Sequence, residues 1–408
     1  MIWGQQGEMR MKEEIRQKLR HGSAIATILI IVASLAAGAF GAAIWVHATD
    51  NGNTAAVEPS EEPTPEPTPE VSTASFFFVG DALLHETIPY DAQKADGTYD
   101  FTPELHRIGA IAQNYDLRYY NQETILAGDE YGIHGYPCFN GPRAWGDTMV
   151  DTYGFNMVSL ANNHSLDMGE DGTIASTEYW KTKKNVVASG TYTSLADRQA
   201  ITVHEINGIK YAFFSWTYGM NGIPEPEDAP YMVACYDGNE DEMCKQIAEA
   251  KKVADVVIVA MHWGTEYVFD ATEEQQRLAQ EVSDAGADII IGNHPHVIGP
   301  VQWLNNGKTI CFYAMGNLCA AQYDKSRIEM MGALNIEKTS FNGQTSIKIK
   351  NVKADLMYQY VTDNWTNFEI VPFAQMTDDT YLADHQAVYD QYKTVITSLD
   401  PTIQIGGF

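Results

Sequence analysis

The stretches VVIVAMHWG at residues 256–264 and ADIIIGNHPHV at residues 287–297 indicate the fold class of this chain. Each contains an unbroken apolar run rich in Val and Ile, which is typical of a strand buried on both faces in an α/β protein. Between them, Thr272 and Gln275 match an N-terminal capping box, and Gly286 matches a helix C-cap. The sequence therefore predicts a strand, helix, strand unit and an α/β fold.

Two earlier apolar runs also end in polar residues that are capable of chemistry. Residues 76–79 lead into Asp81, and residues 157–160 lead into Asn163 and His164. In α/β folds, functional sites gather at the carboxyl ends of the strands. We therefore expect the polar residues that follow all four runs to share one site.

Antiparallel structure is expected elsewhere in the chain. Residues 201–206 and 210–216 flank Asn207 and Gly208, a pair that favours the tight turn of a β-hairpin. The remaining expected elements are a second antiparallel pair at residues 333–337 and 345–352 and a helix at residues 381–399.

Composition and charge exclude several classes of protein. The chain has 408 residues, 45% of them hydrophobic, so it can bury a large core. Its net charge of -28 argues against nucleic acid as a partner, because phosphate backbones are bound by clustered Lys and Arg. Anionic polymers are repelled at long range too, so contact with them must be local or metal-mediated. The five cysteines form no Cys-x-x-Cys pair, which excludes a zinc finger and leaves any disulfide pairing open.

The N-terminal region predicts a membrane anchor. Residues 23–46 carry no charge and are long enough to cross a bilayer as one helix. The basic residues before them place the N-terminus in the cytoplasm and the rest of the chain outside. A cleaved signal peptide is the alternative, because residues 36–43 are rich in Ala, although the apolar run exceeds the ~7–15 residues of a signal core.

An acidic, Pro-rich segment, EPSEEPTPEPTPE at residues 58–70, follows the anchor and favours an extended stalk. The predicted organisation is a cytoplasmic segment (1–22), a transmembrane signal-anchor helix (23–47), the stalk (48–74), the main domain (75–375) and a C-terminal helical segment (376–408).

Six residues in short turns at or near the apolar runs are of types that bind divalent metals: Asp81, Glu123, Asn163, His262, His294 and His296. Each of them alone has an ordinary alternative. A Gly-Asp pair after a strand is often only a turn, and a buried histidine is usually a hydrogen-bonded core residue. The His-x-His pair would place both rings on one face of a strand, but this leaves metal binding open.

Taken in order, the motifs resemble the CapA family of bacterial capsule and poly-gamma-glutamate synthesis proteins. They are Gly-Asp at 80–81, NQE at 121–123, LANNHSLDMG at 160–169, MHWG at 261–264, GNHPHV at 292–297 and YAMGNL at 313–318. That family is similar to calcineurin-like metallophosphoesterases. The resemblance implies a four-layer sandwich, in which two β-sheets lie between helices, and two divalent ions of Mn, Fe, Zn or Mg.

The resemblance also implies a role for each residue. Asp81, Asn163 and the three histidines 262, 294 and 296 would bind metal, Glu123 would bridge both ions, and His164 would be the catalytic acid. Two departures stand out. Asp81 is followed by Ala82 and Leu83, with no histidine before His85, and Glu123 stands where an aspartate is usual.

Three further residues near these motifs have open roles. We expect His85 and Arg143 to contact substrate, with a structural ion pair as the alternative for Arg143. Asp167 could orient His164 or cap the segment that enters Gly169.

The resemblance implies a membrane-anchored, extracytoplasmic component of capsule biosynthesis, with polymer-synthase subunits and an anionic polymer as partners. The alternatives are a metal-dependent phosphoesterase or nucleotidase and a polymer-binding or export factor that cleaves nothing. Residue types alone do not separate these functions, because ligands that activate water also chelate carboxylates.

Overall fold

The computed structural model describes residues 68–408, in which two β-sheets pack face to face with helices on both outer faces. The predicted cytoplasmic segment, the transmembrane helix at 23–47 and the stalk up to residue 67 lie outside the described residues. Between residues 68 and 408, no helix has both the length and the apolar character needed to cross a membrane.

The first sheet is mixed, with strand order β14-β13-β12-β1-β2-β3-β4, and with β11 beside the end of β1 and β15 beside β13. Its strands are β1 (Glu70–Leu83), β2 (Leu117–Asn121), β3 (Met157–Ser159), β4 (Val187–Ser189), β11 (Asn317–Ala320), β12 (Ile328–Phe341), β13 (Gln344–Tyr360), β14 (Glu369–Pro372) and β15 (Gln404–Ile405). β12 and β13 form the second predicted antiparallel pair.

β1 begins earlier than the sequence indicates. Glu70 pairs with Ser340 of β12, so residues 70–74, which the sequence assigned to the stalk, belong to the sheet. Further along, β1 runs parallel to β2, and Asp81 pairs with Asn317 of β11. Pairing with strands more than 230 residues away in sequence cannot be deduced from local composition.

The second sheet has strand order β5-β6-β7-β8-β10-β9, and its four central strands are parallel. Its strands are β5 (His204–Ile206), β6 (Ile209–Thr217), β7 (Val256–His262), β8 (Ile289–Asn293), β9 (Val301–Leu304) and β10 (Thr309–Phe312). The predicted hairpin is confirmed as β5 and β6, and Asn207 and Gly208 in its turn have positive φ angles of 50° and 79°.

The α-helices in the described residues are α1 (Thr87–Ala92), α2 (Thr102–Ala112), α3 (Arg143–Asp147), α4 (Gly169–Thr182), α5 (Leu195–Gln199), α6 (Glu240–Lys251), α7 (Glu273–Ala285) and α8 (His385–Ile396). α7 confirms the predicted strand, helix, strand unit. Thr272 and Gln275 form the capping box, and Gly286 ends the helix with φ 117°. The helix expected at residues 381–399 forms as α8.

Three apolar layers hold the elements together. Side chains from the facing sides of both sheets fill the central layer, where the rings of Phe78 and Phe312 meet edge to face at 4.7 Å. Trp145 and Trp180 belong to the layer between the first sheet and its helices, whereas Met243 belongs to the layer under α6. The α/β class, with two sheets flanked by helices, is confirmed.

Gly80 allows β1 to approach the segment before β11. A Cβ at Gly80 would lie 1.9 Å from the carbonyl oxygen of Gly316, so a side chain cannot fit there. The N–H of Asp81 donates to that same oxygen at 3.0 Å. This close contact places Asp81 at the carboxyl end of β1, facing the ends of the strands of the second sheet.

Glu104, in the first turn of α2, is buried without a partner. Neither of its carboxyl oxygens accepts a hydrogen bond from any residue between 68 and 408. Burial, together with the negative charges of Asp91 and Asp100, holds the pKa of Glu104 well above its ordinary value of 4.5. The folded protein therefore binds this proton more tightly than the unfolded chain does.

This linkage predicts a pH-dependent effect of Glu104→Gln on stability. The carboxyl group costs nothing below the unfolded pKa of 4.5 and destabilises the fold as the pH rises from there toward the folded pKa. Each pH unit in that window costs up to about 1.4 kcal/mol. Glu104→Gln should therefore unfold at nearly the wild-type denaturant concentration at about pH 4 and at a higher one at about pH 8.

Glu170→Gln is the matched control, because Glu170 also lies in a first helical turn, that of α4, but is exposed. It should follow the wild-type pH profile. Parallel profiles for Glu104→Gln and wild type would contradict the buried, protonated carboxyl group.

Candidate metal centre

The carboxyl ends of strands from both sheets bring the six predicted ligands together. Every one of them is buried, at the end of β1 (Asp81), after β2 (Glu123), after β3 (Asn163), at the end of β7 (His262) and after β8 (His294, His296). The side-chain ligand atoms of Glu123, His294 and His296 all lie within 4.8 Å of one another.

Glu123 lies at the centre of this cluster. One of its oxygens, Oε1, lies 3.5 Å from Nε2 of His262 and 3.9 Å from Nε2 of His296. The rings of His262 and His294 have centroids 4.9 Å apart. Three imidazoles from two separate strand ends therefore converge on one carboxylate.

The hydrogen-bonding state of these groups fits a cation. Within residues 68–408, neither oxygen of Glu123 accepts a hydrogen bond, and Nδ1 of His294 has no partner. Such atoms are costly to bury unless something else binds them. Carboxylate oxygens and imidazole nitrogens are ligands of divalent metals, so these residues suit one.

The electrostatics agree with that conclusion. Burial lowers the pKa values of His262, His294 and His296 well below the ordinary value, which keeps the imidazoles neutral and their lone pairs available. Burial raises the pKa values of Asp81 and Glu123, and the charge of Glu123 raises that of Asp81 further. A bound cation favours the charged carboxylates and offsets both their burial and their mutual repulsion.

Asp81 is held by two hydrogen bonds. Its Oδ1 accepts from Nδ2 of Asn121 at 2.8 Å, and its Oδ2 accepts from the backbone N–H of His294 at 3.0 Å. The same Asn121 amide nitrogen lies 3.4 Å from Nδ1 of His262. Asn121 belongs to the NQE motif, but no role was expected for it. It stands two residues before Glu123, a spacing that places both on one side of an extended chain.

Asn163 joins the cluster through its amide oxygen, which lies 2.8 Å from Nε2 of His262. Its amide nitrogen donates to Oδ1 of Asn221 at 3.2 Å, which turns the oxygen toward the histidines. Asn221 comes from a loop after β6 and has a positive φ of 50°. No motif in the sequence pointed to it.

The His-Pro-His segment is a turn and not a strand. β8 ends at Asn293, and His294 and His296 have positive φ angles of 99° and 54°, which are unusual for residues with a side chain. The idea that strand alternation aligns the two rings is therefore wrong, although the rings still lie 6.0 Å apart. Nδ1 of His296 contacts Oδ1 of Asn317 at 3.0 Å, which directs Nε2 toward Glu123.

His164 is placed differently from the ligands. Its Nδ1 lies 2.7 Å from Oδ2 of Asp167, and the two side chains are only 6% and 1% exposed. The N–H of Phe139 donates to the same Asp167 oxygen at 2.6 Å. Burial lowers the pKa of His164, but the bond to Asp167 and the charge of Glu123 outweigh it and raise the pKa overall. Asp167 makes no cap at α4, so it orients His164.

A cleft of about 540 Å³ opens beside the cluster. His164 and His296 line it, so it reaches both the Asp167-bound histidine and the candidate ligands. His85 also lines the cleft, where its ring meets that of Phe139 edge to face at 5.1 Å. The structure thus brings His85 to the cleft but not into the Glu123 cluster.

Arg143 is not among the residues that line this cleft. Its guanidinium donates to the carbonyl oxygens of Leu126, Ala127 and Ala175, and it forms no ion pair with a described residue. Both interpretations of Arg143 from the sequence, substrate contact and ion pair, lack support in this geometry. The side chain instead holds the loop after β2 against α4.

Alanine substitutions should lower metal affinity more at a metal ligand than at a residue that only orients a ligand. We expect His296→Ala to weaken metal binding by more than about 100-fold and Asn317→Ala by about 10–100-fold, the range typical of groups that orient a ligand. His204→Ala, which removes a half-buried histidine of β5, should have no effect. Titration with Mn²⁺ or Zn²⁺ measures these affinities, and equal losses in all three variants would contradict the assignment.

Comparison with known proteins agrees with the motifs. The model of the family described as "Bacterial capsule synthesis protein PGA_cap" matches residues 75–322. The PGA biosynthesis protein CapA of Bacillus subtilis is 30% identical over 248 residues, which cover 59% of this chain and 61% of that protein. The capsule biosynthesis protein CapA of Bacillus anthracis is 34% identical over 173 residues, 41% of each chain.

These alignments span less than two thirds of each relative. Among solved structures, a phosphatase from Mycoplasma pneumoniae is similar over 69% of this chain and 95% of its own, with 15% identity and a TM-score of 0.40. That score is too low to bear on fold or function. The family match covers more than half of the chain, and this chain belongs to the CapA family of bacterial capsule synthesis proteins.

Proposed function

We propose that this chain is a metal-dependent hydrolase that cleaves a capsule polymer of the poly-gamma-glutamate type outside the cytoplasm. Family membership and the names of the two Bacillus relatives support the polymer. The hydrolase proposal rests on the hydrogen bond between His164 and Asp167, in which Nδ1 and Oδ2 lie 2.7 Å apart. His164 itself lines the cleft beside His296. A site that only chelates carboxylates has no need of an oriented proton donor.

In this proposal the six buried ligands would hold two divalent ions of Mn, Fe, Zn or Mg, and Glu123 would be shared by both. Carboxylate and amide oxygens suit hard ions, and imidazoles add affinity for Mn, Fe and Zn. When bound, such ions supply activation of water and polarisation of the substrate carbonyl. The proposed finer fold is the four-layer calcineurin-like sandwich.

The residues of this chain supply the proton transfer. Asp167 accepts the Nδ1 proton of His164, which leaves Nε2 as the nitrogen free to serve the substrate. In the proposed reaction one water adds across a γ-amide bond. The C–N bond breaks, a C–O bond forms, and His164 gives its Nε2 proton to the departing amine. The proton that the attacking water loses then restores His164.

Anchoring completes the proposal. The apolar segment at residues 23–46 would hold the protein in the membrane, and the acidic stalk would space the domain from the lipid surface. Polymer-synthase subunits in the same membrane are the proposed protein partners. The domain would then meet the polymer as it emerges.

Replacing His164 should affect turnover and leave metal in place. We expect His164→Ala to lower polymer cleavage ~10²–10⁴-fold, as for a lost general acid, while metal content stays at the wild-type level. Asp167→Asn should lower cleavage about 10–100-fold, because His164 loses its orientation. His106→Ala, an exposed histidine of α2, is the control and should change neither quantity.

The assay is the release of new amino termini from poly-gamma-glutamate by the metal-loaded protein. A phosphodiester and a phosphomonoester are tested beside it. Cleavage of a phosphoester alone would replace the proposal with a phosphoesterase. Metal-loaded protein that binds polymer but cleaves no substrate would favour the binding or export role.

Protease treatment of intact cells tests the orientation. A tag before residue 23 should be protected, and the domain after residue 47 should be digested, because the basic flank stays in the cytoplasm. Digestion should reach the N-terminal tag only after the membrane is permeabilised. A protected domain with a digested tag would contradict the orientation, and a secreted domain that lacks residues 1–43 would indicate signal cleavage.

A further inference from the structure

A second cleft, of about 620 Å³, lies far from the candidate metal centre. Asp255 and Asp288 line it and directly precede β7 and β8, whereas the metal ligands follow the other ends of these strands. β7 has seven residues, so the two regions are separated by roughly 20 Å. We call this the lysine cleft, because its lining includes Lys251, Lys308, Lys348 and Lys350.

The two aspartates of the lysine cleft are already neutralised. Lys251 pairs with Asp288 at 2.7 Å, and Lys338 pairs with Asp255 at 2.7 Å. Lys308 and Lys348 are exposed, and neither forms an ion pair with any residue in 68–408. Their charge is thus available to a ligand, in a chain whose net charge is -28.

The exposed lysines of the cleft match the charge of a carboxylate polymer. A poly-gamma-glutamate strand carries one carboxylate in each residue, and these carboxylates would meet Lys308 and Lys348. Ile347 and Ile349 also line the cleft, but they alternate with Lys348 along β13 and pack toward the central apolar layer, so they lie on the other face of the strand.

The cleft beside the metal centre is less basic. Glu266 and Asp324 line it with one lysine, Lys325, whose amine donates to the carbonyl oxygen of Tyr267 at 2.6 Å. A polyanion would find little charge complementarity there beyond bound metal.

A cavity of about 900 Å³ on another part of the surface is a weaker candidate. Two cationic side chains that line it already have partners within the chain. Arg107 pairs with Glu369 at 2.6 Å, and the amine of Lys353 donates to the carbonyl oxygen of Gly407.

We propose that the lysine cleft is a docking site for a carboxylate polymer, separate from the metal centre. The identity of the polymer rests on the proposed function. A long polymer would be held at the lysine cleft while another part of it reaches the metal centre, which raises the local concentration of cleavable bonds.

The test measures binding of fluorescein-labelled poly-gamma-glutamate to the full chain in neutral detergent, with metals removed by a chelator. Fluorescence anisotropy at low and physiological salt gives the affinity. Wild type should bind, and a variant with both Lys308→Glu and Lys348→Glu should bind at least about tenfold more weakly at low salt. The paired Lys→Gln variant should be intermediate.

The matched control carries Lys94→Glu and Lys245→Glu, which change the net charge equally at exposed lysines outside this cleft. It should bind like wild type. If the control variant and the lysine-cleft variant lose the same affinity for polymer, the effect comes from net charge alone, and the docking site is wrong. Thermal unfolding should be alike in all variants, because the altered side chains are exposed.

Two further arms identify the ligand and separate this proposal from the hydrolase. If Lys308→Glu with Lys348→Glu weakens binding to vesicles of 30% phosphatidylglycerol in phosphatidylcholine but not to polymer, the surface is a lipid contact and the proposal fails.

With metal restored, the variant should show a raised KM for long polymer and unchanged cleavage of a γ-glutamyl trimer. If the variant cleaves long polymer with the same KM as wild type, the docking site is wrong but the hydrolase proposal stands. If wild type cleaves no polymer but the variants still differ in polymer binding, the hydrolase proposal is wrong and the docking site stands.

Discussion

The structure depends on one constraint, which is that a carboxylate and three imidazoles are buried together where the strands of two sheets end. Glu123 has no hydrogen-bond donor among residues 68–408, and His262 and His296 each bring a nitrogen within 4 Å of its Oε1. Such a cluster is costly in a folded protein unless a cation joins it. The surrounding amides of Asn121, Asn163 and Asn317 fix the orientations that make the cluster a site.

The roles proposed for the histidines around this cluster rest on the hydrogen-bond partner that each histidine has. His296 is oriented by a neutral amide and faces Glu123, as a metal ligand requires. His164 is bound to a buried carboxylate and lines the cleft, as a proton donor requires. The two proposed roles thus correspond to different hydrogen-bond partners, although both residues follow strand ends.

The sequence was sufficient for elements whose signals are local. Unbroken apolar runs located β1, β3, β7 and β8, and cap residues located α7, because buried strands and helix ends have strong residue preferences. Features that depend on contacts between distant parts of the chain could not be predicted from the sequence. The start of β1 at Glu70 depends on pairing with Ser340, and the position of Arg143 depends on carbonyl groups far along the chain. The positive φ of His294 depends on the turn that the site imposes.

Anomalous X-ray scattering from crystals of the wild-type protein grown with Mn²⁺ tests whether the Glu123 cluster binds two divalent ions. We expect two anomalous peaks about 3.5–4 Å apart, with Glu123 between them. Asp81, Asn163 and the three histidines should be distributed around the two peaks. Absence of peaks at this position, with the oxygens of Glu123 bound by ordered water, would show that the cluster is not a metal site.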